Sequence, residues 1–194
     1  MGAFDDRYYT VEEYFSILEK SKEKLEYHNG KIYAMAGGTS NHNAISVNMS
    51  TQLKIALKGK GCQVYSSDQQ VMIESTNRYV YPDVSVACGN REFADEKKTK
   101  LLNPILVVEV LSESTAVYDK NTKLHLYSKI PSFQEYVLIN AEKVEVHTYF
   151  KEEKELWRIS FASRMEDTIQ LHSLGINISV AEIYDEISDL KKEL

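Results

Sequence analysis

Ile105-Leu106-Val107-Val108-Glu109-Val110-Leu111 is apolar at every position but one. A strand of this composition meets protein on both faces, so the run belongs in the middle of a covered sheet. Glu109 is then the anomaly. An ionised carboxylate in such a segment is costly unless a cation or a hydrogen-bond donor meets it. Some 25 residues earlier, Tyr81-Pro82-Asp83-Val84-Ser85-Val86 puts Asp83 at the beginning of a second expected strand. If the two strands are neighbours, both carboxylates converge at one end of the sheet.

The rest of the chain alternates strand and helix signals around this segment. Thr10-Val11-Glu12-Glu13 is a capping box, and the helix it opens is expected to run to about Lys22. Leu25 to Tyr27 and Lys31 to Met35 flank Asn29-Gly30, a hairpin signal. Ser40 is expected to cap a second helix, with Ile45, Met49, Leu53, Ala56 and Leu57 on its apolar face. Strands are expected over 63–73, 79–87 and 105–111, followed by a third helix capped by Ser114 or Thr115 and ending near Lys129, before Pro131. Glu135 to Asn140, Val144 to Phe150 and Trp157 to Ala162 read as further strands, and Ser179-Val180-Ala181-Glu182 as a second capping box. Mixed strands and helices around a central sheet make an α/β or α+β domain.

Composition sets outer limits. The 194 residues suit a single domain, and a net charge of −6 argues against a protein held on nucleic acid by bulk positive charge. Cys62 and Cys88 are the two cysteines and have no CxxC spacing. No disulfide framework or structural zinc site is expected, and a cytoplasmic location fits best. No run is apolar for long enough to span a bilayer. There is no GxSxG, P-loop, GxGxxG or HExxH, so acyl transfer, nucleotide binding and zinc hydrolysis are unsupported.

The chemistry therefore rests on the carboxylates. Asp83 and Glu109 with a strand carbonyl form a hard oxygen site suited to Mg²⁺ or Mn²⁺. A metal there activates water and neutralises charge on a phosphate, and a nearby lysine stabilises the developing anion. The residue two after Glu109 is Leu111, so the lysine must come from elsewhere. Asp119, Lys123 and Tyr127 fall at i, i+4 and i+8 on the expected third helix, from which Lys123 can project back to the pair. His42 is placed to face the site from the start of the second helix. Glu26 offers a third acid, or else a surface partner for Lys24 or Lys31.

The ordered set Pro82-Asp83, Val107-Val108-Glu109-Val110-Leu111-Ser112 with Ser114-Thr115, then Asp119, Lys123 and Tyr127, resembles the Uma-type restriction endonuclease family. That family belongs to the PD-(D/E)XK nuclease superfamily. Glu26, Asn29-Gly30, Met35-Ala36-Gly37, His42, Pro131-Ser132, Glu135-Tyr136 and Ala181-Glu182-Ile183-Tyr184 extend the likeness over about residues 8 to 186, within one domain of 194 residues. The resemblance implies a restriction-endonuclease-like core, a mixed sheet flanked by helices. Asp83, Glu109 and the Val110 carbonyl would hold Mg²⁺ or Mn²⁺, with Lys123 as the relocated lysine and DNA phosphodiesters as the substrate. His42 and Glu26 are secondary candidates. The alternatives are an inactive nuclease-fold module binding nucleic acid or a protein, and a hydrolase of other phosphate esters. A homodimer is expected, through an edge strand such as Val144 to Tyr149.

Overall fold

The computed structural model describes residues 6–35, 37–111, 122–154 and 156–191. The expected helix caps Ser114 and Thr115, and Asp119, lie outside the described residues.

Thr10 caps α1 (Val11–Leu18), and its capping box is formed in both directions. The Glu13 N–H donates to the Thr10 hydroxyl at 3.2 Å, and the Thr10 N–H donates to Glu13 Oε2 at 2.8 Å. The helix is shorter than its sequence signal. β1 (Leu25–His28) and β2 (Lys31–Ala34) form the expected hairpin, with Asn29 and Gly30 at φ 47° and 101°. At Gly30 a Cβ would stand 2.6 Å from the Tyr8 ring, so glycine is required there for space as well as for φ. α2 (Ser40–Ala56) buries Ile45, Met49 and Leu53; Thr39, one residue before the expected Ser40, is its cap.

The two long strands expected next each split in two. β3 (Cys62–Ser66) and β4 (Gln70–Ile73) lie in different sheets, as do β5 (Arg78–Val80) and β6 (Val84–Cys88). The second break falls at Pro82, which has no N–H to give to a ladder. There follow β7 (Lys100–Leu101), β8 (Leu106–Leu111), α3 (Leu124–Tyr127), β9 (Glu135–Asn140), β10 (Val146–Lys151) and β11 (Trp157–Ala162). The hairpin of β12 (Thr168–Leu171) and β13 (Ile176–Ser179), then α4 (Val180–Ile183), end the described elements. The sheet orders are β11-β10-β9-β8-β6-β3, β2-β1-β5-β4-β7 and β12-β13. The large sheet is mixed: β8 pairs parallel with β9 and antiparallel with β6.

All six residues of β8 are buried, as its composition requires. Val108 and Val110 pack under Ile45, Met49 and Leu53 of α2, while Val107 and Leu111 face a second cluster with Tyr127, Phe133 and Tyr136. No described helix is long and apolar enough to cross a membrane.

Three expectations need correction. Ser179 makes no side-chain capping bond. The strand expected at a sheet edge, β10, is flanked on both sides, and β11 takes the edge with Ile159 and Phe161 exposed. The two cysteines, expected as thiols, are joined: Cys62 and Cys88 are direct partners in the antiparallel β3–β6 ladder and form a disulfide. Spacing could not reveal this, because the bond depends on register across 26 residues.

Closing a loop of that length stabilises by about 2–4 kcal/mol through the unfolded chain. Dithiothreitol, or a Cys62→Ser/Cys88→Ser double variant, should therefore lower the urea midpoint by a corresponding amount. Equal midpoints with and without reductant, on protein shown by thiol titration to be oxidised, would contradict this.

Candidate active site

The carboxylate pair is set by strand register. Val84 stands opposite Val108 in the antiparallel β6–β8 ladder, and one further step sets Asp83 against Glu109. The Val110 N–H donates to Asp83 Oδ2 at 2.7 Å. His42 Nε2, brought by the first turn of α2, lies 3.2 Å from the same oxygen. Thr39 fixes that turn, its hydroxyl accepting the His42 N–H. Asp83 is thus held from two sides, by the sheet and by the helix.

Glu109 is held as firmly. Its Oε1 accepts from the Tyr127 hydroxyl at 2.8 Å, and its Oε2 is 3.0 Å from Lys123 Nζ. The Lys123 and Glu109 side chains are only 9% and 5% exposed, so the pair is shielded from water. Burial, and next the Glu109 charge, push the Tyr127 hydroxyl well above the ordinary tyrosine range, which keeps it a donor. Lys123 caps α3 and Tyr127 is its last residue, one helical turn on, so a single short segment supplies both partners. Leu111, where the superfamily pattern has lysine, is core: it packs in the cluster with Tyr127 and Phe133.

Glu26 is fully buried on β1, and both of its oxygens are engaged. Oε1 accepts the Tyr81 N–H at 2.9 Å and Oε2 is 3.0 Å from His28 Nε2. Burial raises its pKa, but the His28 hydrogen bond, the Lys123 and His28 charges and the Tyr81 N–H outweigh it and hold the group below the usual carboxylate range. The surface pairings expected for it do not form, since Lys24 pairs with Asp68 at 2.6 Å and Lys31 donates to the Asp6 carbonyl. Among the described residues no three His, Cys, Asp or Glu side chains gather as a metal cage.

A two-carboxylate donor set suits Mg²⁺, which keeps several waters and takes one or two protein carboxylates. It is not the closed set of four Cys or His ligands that holds a structural Zn²⁺. The residues present therefore fit a hard divalent ion. Sequence reasoning missed two members of the surroundings. Tyr127 was legible as sharing a face with Lys123, but its bond to Glu109 was not. His28 was one more scattered histidine until β1 placed it beside Glu26.

Residues 11–181 match the family described as "Uma2: Putative restriction endonuclease". "Uncharacterized protein slr1290" of Synechocystis sp. is 41% identical over 174 residues, covering 89% of this chain and 90% of that one. "Uncharacterized protein sll1609" of the same organism is 35% identical over 151 residues, covering 78% and 85%. A crystal structure described as a "putative nuclease belonging to DUF820" from Anabaena variabilis superposes with a TM-score of 0.70 at 19% identity, over 91% of this chain and 97% of that one. The fold is thus that of a restriction-endonuclease-like protein, and this chain belongs to the Uma2 family.

Proposed function

We propose that the protein is a Mg²⁺- or Mn²⁺-dependent endonuclease that hydrolyses DNA phosphodiester bonds. The observation that carries this reading is Asp83, immediately before β6 and bonded to the Val110 N–H at 2.7 Å, beside the buried Glu109 of the neighbouring strand, with the Lys123 ammonium 3.0 Å from Glu109. Asp83, Glu109 and the Val110 carbonyl would hold the ion. The ion supplies a water of lowered pKa and neutralises charge on the phosphoryl oxygens.

The chain's own groups do the rest. Lys123 places a fixed positive charge where the pentavalent phosphorane accumulates negative charge, in a site nearly closed to water, where such a charge acts most strongly. Tyr127 orients Glu109 by holding Oε1. His42, 3.2 Å from Asp83 Oδ2, holds that carboxylate in place. Glu26 and His28 hold the Tyr81 backbone two residues before Asp83. Cleavage of both strands needs two such sites, so the reading includes a homodimer, with the exposed edge strand β11 as the available surface. A sedimentation mass of one chain at micromolar concentration would remove that part.

Supercoiled plasmid with Mg²⁺ or Mn²⁺ tests the activity directly. Nicking should disappear with EDTA and fall by about 100-fold or more in Glu109→Gln and Lys123→Ala, the scale lost with a principal electrostatic group. Full activity in Lys123→Ala would remove the lysine from the mechanism. No nicking by folded wild type with any divalent ion would leave the non-catalytic module as the better reading. Tyr127→Phe should raise the Mg²⁺ concentration for half-maximal rate by about tenfold, because outer partners of a ligand typically contribute 10–100-fold in metal affinity. An unchanged metal dependence would show that Tyr127 does not orient Glu109.

A further inference from the structure

A groove of about 630 Å³ runs from Asp83 between the outer face of α2 and the edge strand β3. Among the described residues Asp83 is the only acid lining this groove, and Lys54 is its one cation. Val47 and Ile55, 63% and 65% exposed, supply its apolar wall.

The hydrogen-bonding groups of β3 are unequally used. The Gly89 N–H donates to the Gly61 carbonyl, which fixes the phase of the antiparallel ladder. Residues 63 and 65 therefore bond to β6, and the N–H and C=O groups of Val64 and Ser66 point away from it, toward the open edge. Both of those carbonyls are already occupied: Val64 O accepts from Gln63 Nε2 at 2.8 Å, and Ser66 O accepts from the Gln69 N–H at 3.0 Å. What the edge offers is N–H groups. On α2 the Thr51 hydroxyl is turned back onto the Val47 carbonyl and the Ser46 hydroxyl onto that of His42, each at 2.8 Å, which leaves Ser50 and Lys54 as the donors along this side.

A groove with donors on both walls, whose strand-edge carbonyls are internally satisfied, does not suit an added β-strand, which needs N–H and C=O groups in alternation. It suits a polyanion with an apolar flank. The donors also repeat at a suitable interval: Ser50 and Lys54 are about 6 Å apart along the helix, and Val64 and Ser66 about 6.6 Å apart along the strand. Both intervals are comparable to the repeat of phosphates along one nucleic-acid strand.

We infer that this groove binds a single strand of nucleic acid leading away from the scissile phosphate. Two successive phosphates lie between the Ser50–Lys54 and Val64–Ser66 rails, with sugars and bases against Val47 and Ile55. The inference rests on the nuclease reading for its direction from Asp83 but not for the binding itself, so the two can be tested apart.

The probe is a fluorescein-labelled single-stranded oligothymidine of about ten nucleotides, followed by anisotropy in EDTA so that no cleavage is involved. Lys54→Glu and Ser50→Glu should each weaken binding by about tenfold, and Lys54→Ala should reduce the slope of log affinity against log salt by about one. Lys20→Glu, an exposed charge reversal on the turn after α1, should bind as wild type does. If the groove variants bind like wild type while nicking persists, the groove is overturned and the nuclease reading stands. If wild type binds and the groove variants do not, with no nicking under any metal, the groove is supported and the nuclease reading falls. An absence of saturable oligonucleotide binding, with a labelled extended Val/Thr-rich peptide bound instead, would assign the groove to a protein partner and overturn the inference.

Discussion

The structure depends on a carboxylate that its strand cannot accommodate alone. Glu109 is 4% exposed in a segment whose other five residues are apolar and buried. Removing a charge from water costs several kcal/mol, and only well-aligned partners offset it. Lys123 and Tyr127 are those partners, and both come from the single turn of α3, as its cap and its last residue. Meeting the electrostatic need of β8 therefore also anchors the α3 segment over the sheet. There Tyr127 does double duty, as a hydrogen-bond donor and as a ring packed near Phe133 and Tyr136. A purely apolar residue at position 109 would pack more cheaply. That the acid stands there is the strongest single reason to look for chemistry at this spot.

The second carboxylate is placed by a different device. Tyr81, Pro82 and Asp83 bridge β5 of the five-stranded sheet and β6 of the six-stranded sheet. Each sheet pins one end of this bridge. Glu26, on β1, accepts the Tyr81 N–H, while the Val110 N–H and His42 hold Asp83. Pro82 between them stiffens the link and has no N–H to leave unsatisfied. The site lies where the two sheets are joined, so its geometry follows from the way they are docked. The two oxygens of Glu26 are engaged by the Tyr81 N–H and by His28.

The central strand was readable because burial on both faces leaves a compositional signature, and the Asn29-Gly30 hairpin because positive φ restricts residue choice. The split strands were not, because continuity of apolar residues says nothing about which sheet they join; 62–66 and 70–73 look like one strand and serve two sheets. The Ser179 capping box failed for a related reason. Its glutamate, Glu182, accepts instead from Gln52 Nε2 on α2 at 2.9 Å, a partner 130 residues away that local spacing cannot show. The disulfide belongs to the same class, since only the β3–β6 register brings Cys62 and Cys88 opposite each other. Of the site, the acids were legible as chemical anomalies and Lys123 as a residue on the right helical face. Tyr127 and His28 acquired partners only through tertiary packing.

The proposed role of Lys123 bears on the residue at position 111. A lysine at position 111 would share the Glu109 face of β8, since residues two apart on a strand project the same way. In this chain that position is leucine, 2% exposed, and it completes the apolar cluster with Tyr127 and Phe133. The ammonium arrives from the opposite direction, from a helical turn above the sheet, and reaches Oε2 of the same carboxylate. An electrostatic field depends on where a charge sits and not on which backbone carries it. With Lys123 as the proposed lysine, position 111 is left to strengthen the core while a positive charge stands 3.0 Å from Glu109. The placement of that charge then depends on how the α3 segment docks. In a strand-borne lysine it would be fixed by the sheet.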